Sequence, residues 1–180
     1  MKYAEIKKFD VANGPGVRIS LFVSGCSHYC KGCFNSIAWD YDYGKPFTDE
    51  TIKEIIEFMD NPMISGLTLL GGEPMDPRNQ EALVPLVEKV KEKYPDKTIW
   101  CFTGYLFDDD IMEKFYYTIP ATKRLLACFD VMVDGEFDMD LADITLVFKG
   151  SSNQRTIMVQ ESLKSGEIVL WDNNTSMRAN

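Results

Sequence analysis

The stretch Val17-Arg18-Ile19-Ser20-Leu21-Phe22-Val23-Ser24-Gly25-Cys26-Ser27-His28-Tyr29-Cys30-Lys31-Gly32-Cys33-Phe34-Asn35 decides how the rest of the chain is read. Its first eight residues alternate as a strand does and run straight into a loop with three cysteines. Thiolates at C-x3-C-x2-C spacing can take three corners of a [4Fe-4S] cubane, because a short loop wraps one face and leaves the fourth iron without a protein ligand. The predicted metal ligands are Cys26, Cys30 and Cys33, at a strand's C-terminal end. With His28 the same cysteines also make up a Cys3His set of the kind that binds structural zinc. His28 is the only histidine of the chain. Packed between two ligating cysteines it would be strained as a ligand to the same ion, so its expected place is at the surface or supporting the ligands.

Working outward, Cys101 and Cys128 bring the count to an odd five, and no secretory pattern precedes them, which argues against a disulfide framework. Both sit in apolar stretches and are expected in the core as small hydrophobes. Thr48 reads as an N-cap, with Asp49 and Glu50 in the first turn and Ile52, Ile55, Ile56 and Met59 on one helical face. Leu67–Leu70 reads as a buried strand. Leu83, Leu86, Val87 and Val90 repeat the helical spacing, with Pro85 either kinking that helix or marking its start. Thr98–Phe102 and Phe129–Val133 read as further strands, with a helix over Ile111–Tyr117 between them.

Strand and helix in alternation imply parallel pairing with right-handed crossovers. A chain of 180 residues is short for an eight-stranded barrel of roughly 250 residues. The fold expectation is therefore α/β, a partial, open parallel β/α barrel, as one domain over 1–172 with a polar tail at 173–180. Ligands of such sheets gather at the strands' C-terminal ends. Those ends carry the cysteine loop, Gly71-Gly72-Glu73-Pro74, Thr103-Gly104-Tyr105 and Asp134-Gly135.

Glycines at Gly71 and Gly72 allow a close backbone approach, and carbonyls at a strand end can accept from an ammonium group, which suits an amino-acid moiety; a plain turn is the other reading. Asn13-Gly14-Pro15-Gly16 precedes a strand instead of following one, so it reads as a turn and not a phosphate loop. Asp108-Asp109-Asp110 reads as the cap of the next helix. Arg18 is expected to pair with an acidic neighbour, with phosphate recognition as the weaker alternative. Nineteen basic against twenty-eight acidic residues, net -9, disfavour nucleic acid. No apolar stretch approaches a membrane span and no signal-peptide pattern opens the chain, so a cytoplasmic protein is expected.

The cysteine spacing resembles the signature of the radical S-adenosylmethionine (SAM) superfamily, and Gly71-Gly72-Glu73 resembles that superfamily's element for the methionine amino group. Asn-Gly-Pro-Gly, then a strand, then C-x-His-x-C-x-Gly-Cys-aromatic-Asn resembles the activating enzymes of glycyl-radical enzymes. Within them it is similar to the activases of anaerobic (class III) ribonucleoside-triphosphate reductase. Trp39, Gly44–Thr48, Leu67–Pro74, Trp100 with Thr103–Tyr105, Val133–Phe137 and Gly150–Arg155 extend the likeness, which covers about Tyr3 to Arg155.

The resemblance implies a [4Fe-4S] cluster and SAM as cofactors, with Gly32, Cys33, Phe34, Gly71, Gly72, Glu73, Thr103 and Asp134 as cofactor-binding residues. Asp134 has a loop-turn reading beside that one. Where the superfamily commonly has an aromatic before the third cysteine this chain has Gly32, so adenine contact passes to the Gly32 backbone and to Phe34. No catalytic side chain is implied, since the cofactor carries the chemistry. The implied partners are the large subunit of anaerobic ribonucleotide reductase and a flavodoxin- or ferredoxin-like electron donor. Activation of a pyruvate formate-lyase-type enzyme, small-molecule chemistry of the carboxydeazaguanine synthase type, and a zinc- or cluster-stapled interaction module stand as alternatives.

Overall fold

A computed structural model describes residues 1–172; the tail expected over 173–180 lies outside them. Among these residues, strands β1 (Lys2–Asp10), β2 (Val17–Val23), β3 (Lys45–Pro46), β4 (Ile64–Gly71), β5 (Thr98–Phe102), β6 (Val131–Asp134) and β7 (Arg155–Met158) form one sheet ordered β3-β1-β2-β4-β5-β6-β7. The central strands β2, β4, β5 and β6 pair in parallel, and β1, β3 and β7 add antiparallel edges. The sheet is α/β and not closed, with its parallel part where strand and helix alternate in sequence. The antiparallel edges are what that alternation does not predict.

Helix α1 (Asp49–Met59) starts at Thr48, whose hydroxyl accepts from Thr51 N while Thr51 returns the favour to Thr48 N, a reciprocal cap. Helix α2 (Pro77–Lys93) starts well before Pro85: Asp76 caps it by accepting from Arg78 N, and Pro77 presets the first turn. Pro85 lies on the exposed side of α2, within the helix. The helix expected at Ile111 begins at Phe107, as a π-helical stretch Phe107–Phe115 that runs into α3 (Tyr116–Thr118). Asp110 accepts from Leu106 N at 3.0 Å and so caps it, while Asp108 turns instead to Arg155. Helices α4 (Pro120–Cys128) and α5 (Val159–Ser165) complete the chain.

The two faces of the sheet differ. Ile19, Leu21, Val23, Leu67, Leu69, Ile99, Cys101 and Met132 point to the helices and join Ile55, Met59, Leu83, Val87 and Leu125 in one core. Cys101 and Cys128 are both buried there. On the opposite face Trp100, Val131 and Val133 pack under Phe148, Met158 and Trp171. Arg18 is on that face, fully buried, and is neither paired with a carboxylate nor open to a phosphate. Its Nε donates to Thr68 Oγ1 at 2.7 Å, and its Nη atoms donate to Leu67 O, Thr98 O, Thr98 Oγ1 and Pro15 O. Burial lowers its pKa to about 9, with the more distant charges of Asp130 and Asp10 offsetting part of that effect. Thr68 Oγ1 in turn donates to Asn13 O, so the Asn13–Gly16 turn is pinned to the sheet floor.

Candidate functional site

Above that floor, at the C-terminal ends of the parallel strands, lies a cavity of about 400 Å³. Cys26, Cys30 and Cys33 line it together with Phe34, Gly71, Gly72, Glu73 and Thr103. Phe22, Leu70 and Phe102, the last inward-facing residues of β2, β4 and β5, form an apolar base. Sequence-distant residues from three strand ends are thus brought to one space.

The backbone of Gly71–Glu73 is bonded to the start of the cysteine loop. Gly72 N donates to Val23 O and Glu73 N to Gly25 O, both at 2.8 Å. A Cβ on Gly72 would stand 2.6 Å from Gly25 O and 3.0 Å from Ala38 O; one on Gly71, at φ +107°, would stand 2.8 Å from Phe22 Cα. The glycines are required because two backbones touch there. Glu73 is buried, and its carboxylate faces protein groups: Oε1 accepts from Met75 N at 2.8 Å and Oε2 from Gly104 N at 2.7 Å. Its carbonyl accepts from Asn79 Nδ2. The side chain of Glu73 therefore ties strand-end loops together.

His28 points the same way. Its Nδ1 lies 2.8 Å from Glu136 Oε1, and its Nε2 lies 3.1 Å from Glu73 Oε2 as an ion-pair contact off the line of a hydrogen bond. Burial works against the imidazolium, but the close carboxylates of Glu73 and Glu136 outweigh it and raise the pKa to about 9. With both nitrogens taken by carboxylates, His28 is not disposed as a fourth ligand, which removes the geometry of a Cys3His zinc site. A cubane spreads its irons over separate corners, and three cysteines that line one cavity suit it. Burial pushes the Cys26 thiol up to about 11, with Glu73 adding to the shift, and raises Cys30 too. Metal binding must then displace protons from both.

Two residues expected at the cofactor stand apart. Gly32 is exposed at φ +76°, where a Cβ would meet Met139 Sδ at 2.6 Å, and it is not part of the cavity wall. Asp134 is fully buried beneath the rim, with Oδ2 accepting from Phe107 N and both oxygens accepting from Arg155. Its carboxylate is occupied in joining β6 to β7 and to the π-helical stretch. Phe34, by contrast, lines the cavity and is 90% exposed. Thr103 lines it too, with its hydroxyl accepting from Tyr105 N.

The Gly150–Arg155 segment acts as a clasp. Gln154 Oε1 accepts from Gly150 N and Ser151 N, Gln154 Nε2 donates to Gly135 O, and Asn153 Nδ2 donates to Glu136 O. Gly150 and Gln154 thereby form the far wall of the cavity. Sequence reasoning notes this motif only by likeness and does not place it in the site. A run of small and amide residues with no apolar period carries no local signal for where it docks.

The family described as a 4Fe-4S single cluster domain matches residues 12–157. That span holds the cysteine loop and every loop around the cavity, so the class is an iron–sulfur protein with one cluster domain. The chain belongs, more particularly, to the anaerobic ribonucleoside-triphosphate reductase-activating proteins. It is 39% identical over 159 residues to that protein of Pasteurella multocida (strain Pm70), covering 86% of this chain and 95% of the relative. It is 42% identical over 156 residues to that of Haemophilus influenzae (86% and 96%) and 40% identical over 155 residues to that of Enterobacteria phage T4 (86% and 92%).

Proposed function

We propose that this chain activates the large subunit of an anaerobic ribonucleotide reductase by SAM-dependent radical chemistry, on an open β/α barrel of the radical SAM type formed by residues 1–172. The observation that carries the reading is the meeting of the three cysteines with the Gly71–Gly72 backbone in one cavity at the strand ends of an unclosed sheet. Cys26, Cys30 and Cys33 would hold the cluster. The chemistry supplied by a bound cluster and SAM is one-electron reductive cleavage of the sulfonium, whose 5′-deoxyadenosyl fragment takes the α-hydrogen of a glycine in the reductase and leaves methionine as the other product.

This chain's own residues bind, orient and shield. The cysteine thiols give up their protons on loading. The Gly71–Gly72 backbone offers the methionyl end a surface free of side chains, with Thr103 beside it. Phe34 at the mouth suits the adenine face, and Phe22, Leu70 and Phe102 keep water from the reacting carbon. No side chain is needed as an acid or base. Val11, Phe34, Ile144 and Val147 are exposed on the segments around the mouth, apolar surface that fits a protein substrate better than a free metabolite. The electron comes from a flavodoxin- or ferredoxin-like protein of the cytoplasm. No helix among the described residues is long and apolar enough to cross a membrane.

The test is anaerobic reconstitution with iron and sulfide, then dithionite and SAM. Release of 5′-deoxyadenosine is expected, and with the reductase present, an electron paramagnetic resonance doublet that disappears when the acceptor glycine is changed to Ala. SAM turnover that depends on a small molecule, with no radical on any glycyl-radical protein, would overturn the reading.

A further inference from the structure

The turn between Cys26 and Cys30 is not one its residues favour. Tyr29 sits at φ 53°, in the left-handed region that costs a bulky residue and persists only where the surroundings impose it. His28, directly before it, is where the surroundings take hold. It contacts Glu73 and Glu136 as described, and its ring meets Tyr105 edge-on at 4.4 Å between centroids. Gly104 leaves room for the ring, since a Cβ there would stand 2.7 Å from Cδ2 and Nε2. One side chain of the cysteine loop thus touches each of the other three rim loops. Its neighbour Ser27 makes longer contacts, to Asp76 at 3.3 Å and Tyr105 at 3.5 Å.

We propose that His28 is the positioning residue of the cluster site: its imidazole clamps the strained turn to the Gly71–Glu73, Thr103–Tyr105 and Gly135–Glu136 loops, and so sets where the three thiolates stand. The contacts are to two carboxylates, one buried and backbone-bonded and one at the surface, so the ring is oriented from both ends. The inference rests on the single cluster of the family and not on SAM or the reductase, and its test separates from that of the activation reading.

The alternative is a ring that merely fills space beside Tyr105 and Gly104. In the full chain, reconstituted anaerobically, His28→Phe keeps that filling and loses both carboxylate contacts, whereas His28→Gln keeps a polar group able to reach one. His28→Phe is expected to release iron to a chelator roughly 10-fold faster than wild type, with an altered paramagnetic resonance line shape of the reduced cluster, and His28→Gln to recover part of the difference. A wild-type release rate and line shape in His28→Phe would reduce the residue to packing. Should His28→Phe fail to fold because buried Glu73 loses its one charged partner, Glu136→Ala provides the second arm at an exposed position. It is expected to speed iron release about threefold in the wild type and to add less than that in the His28→Gln background. No effect of Glu136→Ala, or full additivity, overturns the clamp.

Discussion

On the helix-covered face of the sheet, Ile19, Leu21, Leu67, Leu69, Ile99 and Cys101 are all fully buried; on the other face the same strands carry Arg18, Ser20, Thr68 and Trp100 low down and Phe22, Leu70 and Phe102 beneath the cavity. The first face is uniform because it has one task, to exclude water against the helices. The second is graded: a polar floor locked by Arg18, an apolar shelf, then loops rich in cysteine, glycine and carboxylates. An open sheet can be stabilised by one face and leave the other for chemistry. Changes on the two faces should therefore separate stability from cluster binding.

The largest separation is expected from Cys30→Ala. It should abolish the cluster's absorption and SAM cleavage altogether while moving thermal unfolding of the metal-free protein little. Cys101→Ala, on the helix-covered face, should cost about 1 kcal/mol of packing and leave iron content intact. Equal iron loss in both variants would dissolve the contrast.

Gly72→Val should fail on both counts, because its side chain meets Gly25 O and Ala38 O next to Cys26. Sequence reading alone suggests weakened SAM binding with the cluster preserved; the two touching backbones revise this to loss of iron as well. Titration of iron per protein, before any SAM is added, decides between them.

Leu69→Ala, buried against the helices, should destabilise the protein by about 2–5 kcal/mol in urea unfolding. Iron bound per folded molecule should not change. A cluster defect at temperatures where this variant is fully folded would show that the two faces are coupled.

The smallest effect is expected at the clasp. Hydrogen bonds from Arg155 hold the Asp108 carboxyl below its usual range. A folded-state value below the unfolded one stabilises the protein above about pH 4, and that contribution is lost as pH falls through the folded value. Solvent screening keeps it to at most about 1 kcal/mol. Asp108→Asn should lower stability at pH 7 by that amount and converge with wild type once the pH has fallen below the folded value; a gap that persists in acid would point to shape, not charge.

How much of this was legible depended on whether the signal was local. Thr48 with Asp49 and Glu50 announces α1, since a cap and its first turn are neighbours in sequence. The apolar runs at Leu67–Leu70 and Thr98–Phe102 announce parallel strands buried on both sides. Pro85 does not mark the start of α2, because an exposed position inside a helix tolerates a missing N–H that a rule about proline does not weigh. Strands β1 and β7 carry alternation too weak to separate from loop, and their edge pairing fixes them only once β2 and β6 exist.

Within the site, three cysteines at close spacing point to metal chemistry by themselves, because one short loop brings three candidate thiolate ligands together, while the zinc set with His28 stays open until the partners of His28 are placed. The sequence alone therefore determined the cysteine loop, the strand before it and the parallel core. Only tertiary structure decided what Glu73, Asp134, Arg18 and His28 do. A carboxylate or imidazole has no function until its partners are placed, and Glu73 finds Gly104 and His28, Asp134 finds Phe107 and Arg155, and Arg18 finds Thr68 and Thr98 across 21 to 80 residues of chain.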